Sequence, residues 1–152
     1  QRFSFLQSEL GNLDSIIAKL AAFQVAIPSW ALGTGGTRFG RFPGPGEPGS
    51  LEQKLDDVGL LHALNQSSGA ISLHIPWDIP NDYAAIRKQA AELNLKFDAV
   101  NSNTFQDQPG QAHTYKFGSL QNVSKATRKQ AIDHNIEVIK HGVELGSESL
   151  TV

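Results

Sequence analysis

Strand signals that alternate with helix signals predict an α/β protein built on a parallel sheet. Three observations carry that prediction. Short apolar runs at 25–30, 70–75, 95–100 and 150–152 are too brief for helices. Between them, apolar residues recur at three- and four-residue steps, the spacing of a helix face. A chain of 152 residues with 39% hydrophobic and 18% charged positions has the composition of one globular domain. Strands and helices in this rhythm imply βαβ units, and two architectures remain open: a doubly wound sheet or a (β/α)8 barrel.

The elements follow in order. Leu13, Ile16, Ile17, Leu20 and Phe23 trace a first amphipathic helix, and Val25 to Trp30 reads as the first strand, with Pro28 removing one ladder donor. Gly33 to Gly49 holds seven of the fourteen glycines and three of the seven prolines, so a long surface loop is expected there. Ser50 and Gln53 match a capping box before the stripe Leu51, Leu55, Val58, Leu61 and Leu64, a second helix that runs to about Asn65.

Ala70 to Ile75 forms the second strand, and Pro76 holds the residue before it extended. Asn81 or Asp82 can cap a third helix carrying Tyr83, Ile86, Ala90 and Leu93, and Leu95 to Val100 is the third strand. Asn101 to Gly118 is a second polar loop. From Ser124 or Lys125 a fourth helix displays Ile132, Ile136, Ile139 and Val143 until Gly146 stops it, and a fourth strand begins at Leu150. The absence of an initiator Met at Gln1 and the strand signal at Val152 read as a piece trimmed from a longer polypeptide.

Charge and composition exclude several functions. Thirteen Lys plus Arg against fifteen Asp plus Glu gives a net charge of -2, no footprint for a phosphate backbone, so nucleic acid is not an expected partner. No apolar run approaches the roughly 20 residues of a membrane helix. Without cysteine there is no disulfide or thiolate site, which suits the cytoplasm.

Parallel α/β architectures gather binding groups at the carboxyl ends of strands. The first exit carries Trp30, the second His74-Ile75-Pro76-Trp77-Asp78, and the third Asn101 to Asp107 with Phe105. Aromatic faces beside a few donors and acceptors suit a sugar, whose C–H faces stack while its hydroxyls need directional partners. His74 is the sharpest candidate, because a near-neutral imidazole can donate or accept a proton, and Asp78 could orient it. The alternative is an aromatic and a histidine that only pack under a loop.

Other motifs weigh less. Gly33-Thr34-Gly35 puts Arg38 where a dinucleotide fingerprint needs its third glycine, and no helix start lies close by. His134, Glu137 and His141 share one helix face, but about 100° per residue places them opposite the isoleucine stripe, so they are expected to face solvent. Asp78 and Asp107 are the main carboxylates at the strand exits, too few for a metal cage.

The ordered segments Pro28-Ser29-Trp30-Ala31, Gly36-Thr37-Arg38-Phe39, Lys54-Leu55-Asp56-Asp57, Leu73-His74-Ile75-Pro76-Trp77-Asp78 and Asn103-Thr104-Phe105-Gln106-Asp107 resemble the amino-terminal part of bacterial L-rhamnose isomerases. Tyr115 to Leu120 and Arg128 to His134 are similar too, so the resemblance spans nearly the whole chain. It implies the first four strands of a single (β/α)8 barrel of the xylose isomerase kind over residues 1–152, preceded by a helix. It further implies a homotetramer that converts L-rhamnose to L-rhamnulose by a hydride shift, with D-allose and other aldoses as related substrates.

Residue by residue, the resemblance assigns His74 to the ring-opening side and Trp30, Trp77 and Phe105 to the sugar pocket, with Phe39 reaching toward a neighbouring subunit. It implies manganese or another divalent cation held by residues beyond Val152, with no metal ligand in this segment. The competing readings are an inactive or merely sugar-binding half-barrel and a sugar epimerase; the acidic balance counts against a nuclease of the same ancestry.

Overall fold

The computed structural model describes residues 12–33, 36–37, 40–41 and 44–152. Among the described residues, four helices and six strands follow one another: α1 (Leu13–Ala21), β1 (Ala26–Pro28), β2 (Gly36–Thr37), β3 (Gly40–Arg41), α2 (Leu51–Asn65), β4 (Ala70–Ile75), α3 (Tyr83–Glu92), β5 (Lys96–Ser102), α4 (Lys125–Leu145) and β6 (Ser149–Thr151). β1, β4, β5 and β6 form one parallel sheet in that spatial order. Each crossover therefore steps to the next neighbour in the same direction, with no reversal among the described residues. This progression, with helices on one face, is compatible with an arc of an α/β barrel.

Local chemistry explains the element ends. Ser50 caps α2 by accepting the Gln53 N–H at 3.4 Å, while the Gln53 side chain accepts from Gly49 N–H at 2.7 Å, one residue before the reciprocal partner a capping box would use. Asp82 caps α3 through the N–H groups of Ala84 and Ala85, and Ser124 caps α4. Gly146 ends α4 at φ 79°, a left-handed conformation that glycine adopts without a Cβ penalty.

Several sequence expectations shift. The first strand is only three residues long, because Ser29–Ala31 winds into a single 3-10 turn directly after Pro28. The glycine-rich loop contains a short antiparallel ribbon, β2 with β3. β5 continues to Ser102, since Asn101 and Ser102 find ladder partners in His74 and Ile75.

The core lies between the sheet and its helices. Ile71 and Leu73 of β4 pack with Leu51, Leu55 and Val58 of α2, Ile86 and Ala90 of α3, and Leu145 of α4. Ile75, Val100 and Val138 form a second cluster. Ser72 and His74 alternate with these β4 residues and so point to the opposite face of the sheet. There Ser72 donates to Asp98 across the pair at 3.0 Å.

The apolar stripes are only partly buried. Leu51, Leu55 and Val58 are covered, but Leu61 and Leu64 are exposed, and α1 buries no residue. The fourth helix departs most from expectation. Thr127, Ala131, Val138, Gly142 and Leu145 face inward, whereas Ile132, Ile136, Ile139 and Val143 are all exposed. The smaller residues let α4 lie close on β5: a Cβ on Gly142 would meet Val100 at 3.6 Å.

Candidate functional site

Three strand exits converge on one imidazole. β4 ends at Ile75, whose peptide bond to Pro76 is cis, and the turn brings Asp78 back over the strand: Asp78 N–H donates to His74 C=O at 3.0 Å. The same turn lays Trp77 on His74, with ring centroids 4.1 Å apart and planes 20° from parallel. Trp30, from the turn after β1, meets the imidazole edge-on at 5.7 Å, and Phe105, from the loop after β5, does so at 5.6 Å. His74 thus sits in a cage of the three aromatics singled out in the sequence, and is 4% exposed. Phe39 lies outside the described residues.

Neither ring nitrogen of His74 has a hydrogen-bond partner among the described residues. Buried polar atoms are normally paired, so two unpartnered nitrogens at a strand exit call for a partner from outside the described residues. Burial lowers the His74 pKa from 6.5 to about 4; the Asp78 carboxylate opposes this shift, while His134 and Lys54 reinforce it. At neutral pH the imidazole is therefore uncharged, with one N–H donor and one acceptor.

Asp78 makes no hydrogen bond to the imidazole ring, contrary to the sequence expectation. It is 2% exposed, and one carboxylate oxygen accepts from the Lys54 ammonium at 2.6 Å. The other accepts from the Ser29 hydroxyl and from the His74 backbone N–H at 2.8 Å. Lys54 and Ser29 carry roles that sequence reasoning missed. A signal existed for Lys54, which falls in phase with Leu51, Leu55 and Val58; a charge on a buried face calls for a partner.

His134 and His141 do not face solvent. His134 accepts from the Asn103 N–H at 3.2 Å, and burial lowers its pKa, with Glu137 and a hydrogen bond to the Ile75 backbone opposing. His141 stacks on Tyr83, with planes 17° apart, and hydrogen-bonds its hydroxyl. The reason is the rotation of α4: its close approach to the sheet uses the side that carries these histidines, and the bulkier isoleucines turn outward. Glu137 alone of the trio stays exposed, 4.0 Å from His134 and 3.8 Å from His141.

The carboxylates present do not fit a divalent cation. Asp78 is taken by an ammonium, a hydroxyl and an amide, and Asp107 accepts from Thr114, Tyr115 and Gln111 within its own loop, which lowers its pKa. Among the described residues no cluster of three His, Asp or Glu is arranged for a metal. A cleft of about 700 Å3 lies at the amino ends of β4 and β5, lined by Ala70, Leu95, Lys96 and Asp98. Its lining holds no unpartnered buried polar side chain, and it lies at the edge of the sheet away from the strand exits. No described helix is long and apolar enough to cross a membrane.

No family model matches the chain. It is similar to a protein of Rhizobium meliloti named a probable sugar isomerase, with 55% identity over 141 residues that cover 93% of this chain and 33% of that relative. A protein of Mesorhizobium japonicum with the same kind of name is 50% identical over 140 residues, covering 92% of this chain and 32% of the relative. The chain spans about a third of the length of these curated relatives.

Proposed function

We propose that the chain forms the amino-terminal arc of a (β/α)8 barrel in an aldose–ketose isomerase, with L-rhamnose and L-rhamnulose as the substrate pair. One observation carries the reading: an uncharged His74, caged by Trp30, Trp77 and Phe105, keeps both ring nitrogens unpartnered at the carboxyl end of a parallel sheet. The names of the two relatives support a sugar isomerase, and L-rhamnose is named on the resemblance of the ordered motifs alone, with D-allose and other aldoses as related substrates. The monotonic strand order and one-sided helices support the barrel over a doubly wound sheet.

In this reading the aromatic faces stack on the sugar's C–H faces and exclude water. The neutral imidazole accepts the proton of the anomeric hydroxyl at one nitrogen while its other N–H gives a proton to the ring oxygen. The bond from C1 to the ring oxygen breaks, the open-chain aldehyde and a free hydroxyl form, and the imidazole is left neutral as its other tautomer. The divalent cation, manganese or another, is assigned to residues beyond Val152. The resemblance assigns Phe39 to contact with a neighbouring subunit of a homotetramer, and the enzyme to the cytoplasm.

The test assays L-rhamnose and D-allose, with and without manganese, on the 152-residue chain and on the longest polypeptide that carries it. Turnover of L-rhamnose is expected in the longer polypeptide, and His74→Ala should lower it by about 10²–10⁴-fold. Turnover of D-allose alone overturns the substrate; an epimerised product overturns the reaction type. Sugar binding without turnover in either polypeptide favours the binding half-barrel, a reading supported by the commitment of Asp78 and Asp107 to neighbours within the chain.

A further inference from the structure

Asp78 gathers donors from three separate elements: Lys54 of α2, Ser29 of the turn after β1, and the main chain of His74 in β4. It lies next to Trp77 in sequence, and Ser29 lies next to Trp30. A single buried carboxylate therefore holds the backbone beneath two of the cage's three aromatics and beneath the histidine itself. Both partners of the ion pair are about 1% exposed in their side chains. A buried ion pair seldom stabilises a fold more than apolar residues of the same volume, so packing alone does not account for it.

We propose that Lys54, Asp78 and Ser29 are positioning residues, a buried tie that sets Trp30, His74 and Trp77 in the geometry that receives the ligand. The proposal rests on the reading of the cage as a ligand site, but its geometry can be measured without a ligand. The charged and titratable groups that act on the imidazole are Asp78 from its own turn, Lys54 from α2 and His134 from α4. Asp78 and Lys54 act in opposite senses, so removal of each leaves a distinct signature.

In the longest polypeptide that carries this chain, the experiment follows the His74 ring by NMR, since stacking on Trp77 and the edges of Trp30 and Phe105 displace its resonances, alongside KM and kcat for the sugar. Ser29→Ala is expected to move those resonances toward unstacked values and raise KM about three- to tenfold, with kcat within about twofold. Lys54→Met should raise the His74 pKa, because Asp78 then faces the imidazole uncompensated. Adding Asp78→Asn should cancel that rise, and the double variant and Ser29→Ala still decide the matter if Lys54→Met fails to fold. Unchanged ring resonances, KM and titration in the folded variants, with only a lower melting temperature, overturn the proposal. Displaced resonances in a protein that turns over no sugar uphold the tie and remove the isomerase reading instead.

Discussion

The exit of β4 and the outer face of α4 stand at opposite extremes of the same molecule. At the first, charged and polar groups are buried and one carboxylate answers Lys54, Ser29 and the His74 amide, while both His74 ring nitrogens stay unpartnered among the described residues. At the second, four large apolar side chains lie exposed on one stripe, beside the short strand β6. Burial of polar groups demands partners with directed geometry, so the exit is rigidly specified from within. Burial of apolar groups demands only area, and nothing among the described residues covers that stripe.

The comparison can be broken most forcefully at Lys54. Lys54→Met leaves a buried carboxylate without its ammonium and should cost about 3–5 kcal/mol in urea unfolding, whereas Lys54→Met with Asp78→Asn should recover most of that loss. Equal losses in the single and double variants would mean that the pair contributes through shape rather than charge.

The next largest effect is a pH dependence. Unfolded, the His74 imidazole takes up its proton near 6.5; folded, it resists until about 4. The unfolded state therefore binds more protons, and stability is full above pH 6.5 and falls as the pH drops toward 4, by at most about 3 kcal/mol from this residue. His134, also lowered, slopes the same way. Denaturation midpoints at pH 7, 5.5 and 4.5 should show a shallower decline for His74→Phe than for the parent chain.

Smaller effects belong to the surface. Asp107→Asn removes a carboxylate that fastens its own loop through three donors, and should cost about 1 kcal/mol or less because the site is exposed. Ile139→Ser in this chain should change stability by no more than about 0.5 kcal/mol. A loss of 2 kcal/mol or more there would show that the stripe is covered in solution, and sedimentation would then identify self-association.

Most of the element order was legible because its causes are local. Pro28 and Pro76, the caps Ser50, Asp82 and Ser124, and Gly146 each act within a few residues of themselves. The cage was legible for a related reason: His74 lies at the carboxyl end of β4, Trp30, Trp77 and Phe105 follow strands, and parallel strands bring their exits to one edge. The rotation of α4 was not legible. Counting apolar residues selects the isoleucine face, but close approach to β5 selects the small residues Ala131 and Gly142.

The sequence by itself determined the kinds of element, their order and the aromatic character of one edge, since periodicity and capping are written in neighbouring residues. Only the tertiary structure decided that Asp78 binds Lys54, 24 residues away, and Ser29, 49 residues away. It also decided that His134 and His141 turn inward while the isoleucines turn out. Those choices depend on which distant groups meet when the strands align, and a buried charge takes the partner that folding brings within reach.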